Sequence, residues 1–273
     1  MHGVEGSILK SLFFIVLTSL LFITHAKADD SLHQPWQQLL SSHVKSINHG
    51  VSTAVDYSAF KKQHAQLKGY LSTLSDVTQA QFEQWDNAQQ LAFLINAYNA
   101  WTVELILTEY PNIKSIKDLG SFFSSPWSKE FVPLLGETRS LDNIEHTLIR
   151  GSGEYNEPRI HFAVNCASIG CPALREEAYT AAKLDTQLEQ QTQRFLADIT
   201  RNYVKDNTLY LSSIFKWYQD DFENNFRDTQ SLQAFILLYP DALNLTPSQQ
   251  AKLKSNTMKV KFLDYNWALN DNQ

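Results

Sequence analysis

The stretch HFAVNCASIGCPALR, residues 161–175, holds the only two cysteines of the chain, Cys166 and Cys171. His161 opens it, and Ser168 and Gly170 lie between the thiols. Four chemistries fit these residue types. The Cys-x4-Cys pair can close a disulfide if the turn brings the backbones within reach, and Gly170 gives that turn freedom. Cys166 can act as a nucleophile if a base draws off its proton. Cys166 and Cys171 with His146 and His161 make a two-Cys, two-His set for tetrahedral zinc, although structural zinc pairs favour a Cys-x2-Cys spacing. A redox role is the weakest fit, since thioredoxin-type chemistry also uses Cys-x-x-Cys.

The nucleophile reading names a full constellation. Cys166 attacks an acyl carbon, and His146 or His161 takes the proton. Glu145, or one of Asn96 and Asn99, orients the imidazole, as the third member of a triad does. Backbone amides of Ala167 to Gly170 face the developing oxyanion. Asn96, Asn99, Arg159 and Ser168 are the candidate binding residues. The bland alternative for both asparagines is that they tie loops to a buried helix. For Arg159 it is an ion pair. His33, His43, His49 and His64 read as solvent-facing. Ser212 reads as a turn cap. No metal and no cofactor is expected.

The elements that must position these groups follow from patterning. Residues 31–75 read as helical, with a break around NHGVST. From Gln79 to Tyr110 apolar residues recur every three or four positions on most faces, which predicts one long buried helix stopped by Pro111. FVPLLGETRSL predicts a hairpin, Phe131 to Leu135 and Thr138 to Leu141. In DNIEHTLIRG, Asp142 and Glu145 have capping-box spacing, and the helix sets Glu145 beside His146. PRIHFAV predicts a strand, Arg159 to Val164, with His161 and Phe162 on opposite faces. A long amphipathic helix over 176–199 follows. Then come a hairpin turning at Lys205 to Thr208, a short helix over 229–239 and a closing strand in MKVKFLDYNWALN.

The ends and the charge bound the setting. Lys10, the apolar run from Ser11 to Ile23 and the Ala26-x-Ala28 pattern predict a cleaved signal peptide, 1–28. Asp29 is then the first mature residue, and the protein is expected to be soluble and periplasmic or secreted, with no membrane span after cleavage. The chain carries a formal charge of −6 without a basic cluster, which argues against nucleic-acid binding. Residues 29–273 are expected to form one α+β domain. Its N-terminal helical cap and long buried helix would pack on a small, mostly antiparallel sheet.

LINAYNAWTV, FVPLLGETRSLDNIEHTLIR and PRIHFAVNCASIGCPALR resemble the family called domain of unknown function 547. LSSIFKWYQDDF and VKFLDYNWALN are similar to its later blocks, so the resemblance runs from about 91 to 270. Related domains occur both in exported bacterial proteins and in plant proteins that are not exported. The resemblance therefore favours a site built from Glu145, His146, His161 and Cys166 over a purely structural bridge. It implies a thiol-dependent hydrolase or acyltransferase acting on peptide-like amides or esters, or other small-molecule substrates, in the cell envelope. Papain-like order is not followed, because both histidines precede the cysteine. The alternative is a non-catalytic envelope binding or structural protein with a Cys166–Cys171 disulfide.

Overall fold

The computed structural model describes residues 30–121 and 124–272. The expected signal peptide lies outside the described residues. The chain is α+β, with helices carrying much of the core and, among the described residues, three small sheets.

The N-terminal cap is helix α1 (Gln34–His43), hairpin β1 (Val44–Ile47) and β2 (Ser52–Val55), and helices α2 (Tyr57–Lys62) and α3 (His64–Ser75). The expected break is thus a hairpin. Asn48, His49 and Gly50 take positive φ and reverse the chain there. Two of the histidines expected in solvent are buried. His33 bonds Tyr70 at 2.7 Å and His43 bonds Gln63 at 3.0 Å.

The long helix begins later than the apolar pattern suggests. A first turn, α4 (Gln79–Phe82), ends before Asp86. Asp86 and Gln89 then form a capping box that starts α5 (Asn87–Leu107) afresh. α5 is buried without interruption from Leu91 to Leu107 and anchors the larger core.

Hairpin β3 (Val132–Leu134) and β4 (Glu137–Arg139) follows, close to its expected bounds. The next helix, Asn143–Ile149, is π-wound, with Arg150 N–H donating to Glu145 C=O at 3.0 Å. Ser140 caps it through Asn143 N–H, and Asp142 is already helical. The expected Asp142–Glu145 capping box does not form, so both carboxylates are left to other partners.

The expected strand Arg159–Val164 is instead a 3-10 turn, Pro158–Phe162. Pro158 suits a first helical turn, and the Glu157 side chain accepts from Arg159 N–H. The segment lies between two cores. Ile160, Ala163 and Val164 join the larger one, while Phe162 packs with Phe195, Phe215, Phe222 and Phe235 in the second.

Helix α6 (Leu184–Leu196) is shorter than its amphipathic pattern. Both backbone groups of Tyr179 bond the Asn96 amide, which pins the chain ahead of the helix. Strands β5 (Tyr203–Lys205) and β6 (Thr208–Leu211) turn through Asp206 and Asn207, both at positive φ. Short helices α7 (Ile214–Trp217), α8 (Gln219–Phe222), α9 (Leu232–Ile236) and α10 (Pro247–Lys254) complete the second core. Ser212 caps α7 by accepting from Ile214 N–H. Strand β7 (Lys259–Phe262) pairs parallel to β6. No described helix is long and apolar enough to cross a membrane.

Candidate active site

The loop after the 3-10 turn is fixed by side chains before any chemistry is considered. Asn165 accepts from Ala167 N–H at 2.9 Å and donates to Pro172 C=O at 2.7 Å. Its own N–H donates to Asn99 at 2.8 Å. Ala167 takes φ 60° at the bend. Gly170, by contrast, is not left-handed. A Cβ there would meet the Tyr265 ring at 2.9 Å, so its small size admits a neighbour.

That neighbour belongs to a C-terminal strap laid along the loop. Ile169 N–H donates to Ala268 C=O, Gly170 N–H to Asn266 C=O, and Asn270 N–H to Ala167 C=O. Cys166 and Cys171 form a disulfide, with Cα atoms 6.0 Å apart. The Tyr265 hydroxyl lies 3.0 Å from Cys166 Sγ and 3.1 Å from Cys171 Sγ.

The bridge lines a pocket of about 190 Å³, which also takes in Glu145, His146 and His161. These four expected residues, Cys166 included, therefore meet in one cavity although they come from three segments. Asp142, Tyr98 and Tyr218 share the wall, and Trp127, Trp217 and Trp267 give it an aromatic side. Trp217 is 47% exposed.

His161 is the best-defined group. Its side chain is fully buried and stacks on Tyr218 with centroids 3.8 Å apart. Nε2 lies 2.7 Å from the Asp221 carboxylate. Arg150 grips the same carboxylate from Nε at 2.6 Å and from its second terminal nitrogen at 3.0 Å. Burial alone would raise the Asp221 pKa, but the His161 and Arg150 hydrogen bonds outweigh it and hold the carboxyl well below the usual range. Burial lowers the His161 pKa despite Asp221 and Glu145. A neutral His161 facing an ionised Asp221 must carry its proton on Nε2. Nδ1 then holds a lone pair. It is buried without a hydrogen-bond partner, 3.9 Å from Glu145 Oε1.

Glu145 is 5% exposed. The Tyr98 and Tyr218 hydroxyls donate to it. Burial and the Glu145 charge raise both tyrosine pKa values, so these groups stay protonated donors. His146 also lines the pocket, and its side chain is 40% exposed. Its Nδ1 accepts from Arg150 at 3.0 Å and its Nε2 lies 3.8 Å from Asp142.

Three expected binding residues, Asn96, Asn99 and Arg159, lie elsewhere, while the Ser168 hydroxyl lies 3.9 Å from Cys166 Sγ. Asn96 bonds Tyr179 N–H and C=O, and Asn99 bonds Asn165 N–H and Ala163 C=O. Both amides are fully engaged inside the protein, so the loop-tying role holds for each. Arg159 is buried in an ion cluster with Glu157, Asp185 and Glu189. Ser168 is buried and bridges Leu269 across the strap. Three of the four expected loop amides are also occupied. Those of Ala167, Ile169 and Gly170 bond Asn165, Ala268 and Asn266, and that of Cys166 bonds Cys171 Sγ at 2.9 Å.

Sequence reasoning missed Asp221, Arg150 as its clamp, and Tyr265. Asp221 lies 60 positions from His161 and Tyr265 lies 99 from Cys166. Their one sequence signal was that they lie within the LSSIFKWYQDDF and VKFLDYNWALN blocks.

Fold and pocket together give an α+β protein whose pocket gathers the Cys166–Cys171 disulfide, His146, His161 and the carboxylates of Asp142 and Glu145. Residues 82–196 match the family described as Protein of unknown function, DUF547, and the chain carries a domain of that family. The match covers Glu145, His146, His161 and both cysteines, whereas Asp221 and Tyr265 lie beyond it. No curated protein and no solved structure matches the chain.

Proposed function

We propose that the protein is a thiol-dependent acyl-transfer enzyme acting on peptide-like amides or esters in the cell envelope, with Cys166 released as nucleophile when its bridge is reduced. The observation that carries this reading is the buried imidazole of His161. It is fixed by Asp221, its buried Nδ1 has no hydrogen-bond partner, and the residue lines the same pocket as Cys166. A base held by one nitrogen and free at the other is the arrangement a nucleophilic thiol needs.

A dithiol reductant exchanges with the Cys166–Cys171 bridge, leaving two thiols here and a disulfide on the reductant. Cys166 gives its proton to His161 Nδ1, and its sulfur bonds the acyl carbon. The amine or alcohol leaves with that proton, and a thioester remains. Water or an acceptor amine attacks the thioester, passes a proton to His161 and releases Cys166. The Tyr265 hydroxyl and the Cys166 N–H, freed from Cys171 Sγ, are the donors placed for the oxyanion. Loop amides 167, 169 and 170 do not serve.

The intact bridge favours a second reading, a binding or structural envelope protein with a permanent disulfide. Iodoacetamide labelling of dithiol-treated protein, read by mass spectrometry, separates the two. Rapid labelling at Cys166 near neutral pH, slowed in His161→Ala, supports the enzyme. A bridge that resists the dithiol, or a Cys166 no faster than a free thiol in solution, supports the permanent disulfide.

A further inference from the structure

Glu145 and His161 Nδ1 present two acceptors to each other. Nδ1 carries the lone pair because Nε2–H is held by Asp221. At 3.9 Å from Glu145 Oε1 the two make no hydrogen bond, and Nδ1 has no other partner. Glu145 receives hydroxyl donors from Tyr98 and Tyr218. Among the described residues no Lys or Arg is ion-paired with it, since nearby Arg150 is turned to Asp221. A carboxylate buried to this depth with no cation hydrogen-bonded to it is unfavourable.

We infer that this pocket is a binding site for a primary alkylammonium group, whose N–H donors bridge Glu145 and His161 Nδ1. A nitrogen about 2.8–2.9 Å from each acceptor spans the gap with two N–H groups and leaves a third. Water can bridge two acceptors as well, but it does not neutralise the carboxylate. The cavity of about 190 Å³ corresponds to roughly six waters of liquid volume, enough for the ammonium and a chain of a few carbons. The aromatic side suits that chain and its charge. Trp267 carries the Lys117 ammonium 3.8 Å from its ring centroid, a cation–π contact of the kind this wall's indole rings can make. The site is independent of whether Cys166 performs chemistry.

The test titrates the bridged protein with n-pentylammonium and with pentyltrimethylammonium, following the fluorescence of the tryptophans at the pocket. The first should bind saturably. The second has no N–H and should bind at least about tenfold more weakly, as should n-pentylammonium to Glu145→Gln. The titration uses the bridged protein, in which Cys166 carries no thiol, so saturable binding there separates this site from the thiol reading. The His161 Nδ1 resonance should move on addition of the primary amine, a readout that survives if Glu145→Gln folds poorly. Equal binding of the two cations, a static Nδ1 resonance or no saturation at all would overturn the assignment.

Discussion

The Asp221 carboxylate accepts a 2.7 Å hydrogen bond from His161 Nε2–H. That contact decides which nitrogen of the ring is free, and so which way the site faces.

Asp221→Asn should therefore disturb the base more than the fold. The amide carries no charge and can offer its NH2 to the ring, so the Nδ1 lone pair is no longer assured. In subtilisin- and trypsin-like triads the corresponding loss is severe. Alkylation of reduced Cys166 should slow at least about tenfold, and its pH profile should shift upward. Arg150 loses a bidentate partner, at a cost of about 1–3 kcal/mol in chemical denaturation. An unchanged alkylation profile in a folded variant would remove Asp221 from the site.

Cys171→Ser should leave a folded protein with Cys166 free. The bridge closes a very short loop, for which chain entropy gives only about 2 kcal/mol. The loop is also held by Asn165, Asn99 and the strap. A loss near that size in urea unfolding, with no change in m, is expected. Unfolding of the variant at room temperature would mean that the bridge organises the loop.

Gly170→Ala tests the strap. The added methyl meets Tyr265 at 2.9 Å and the Asn266 carbonyl at 3.0 Å, and the backbone oxygen cannot swing aside as a flexible side chain can. Overpacking of this kind costs about 1–3 kcal/mol. Tyr265 should leave the sulfurs, raising the rate at which a dithiol opens the bridge. A reduction rate equal to native would show that Tyr265 does not guard it.

Asn96→Ala should destabilise the protein by about 3 kcal/mol while leaving pentylammonium binding intact. It strands the N–H and C=O of Tyr179 in a buried site. A stability change under 1 kcal/mol, or a loss of amine binding, would return Asn96 to the list of pocket residues.

These contacts also show where the sequence is legible. The buried helix, the hairpin before Glu145 and the neighbouring pair Glu145–His146 depend on residues a few positions apart, and local periodicity reveals them. Asp86 and Ser140 moved two helix starts because a cap overrides apolar spacing. Residues 159–164 alternate like a strand, yet they are buried on both sides between two cores, which periodicity cannot distinguish. Asp221 and Tyr265 reach the site only through the fold. Asn96 and Asn99 show the reverse case, polar residues in an apolar helix that look like cleft groups and hold loops instead.

His33 gives the protein an acid-sensitive element far from the pocket. Burial lowers its pKa from 6.5 to about 4, so the folded state keeps the ring neutral beside Tyr70. The unfolded chain takes a proton near the ordinary value. Between the two the unfolded state binds more protons, and stability falls as pH drops from about 6.5 towards 4. The full difference amounts to about 3 kcal/mol. Burial shifts His161 in the same direction, so the native chain should lose stability on this limb through both histidines. His33→Gln keeps a hydrogen-bonding side chain but cannot take the proton. Urea unfolding at several pH values should show the variant losing less stability than the native chain over this window, with the gap closing above about pH 6.5. Parallel curves for the two proteins would mean that His33 is not held neutral by the fold.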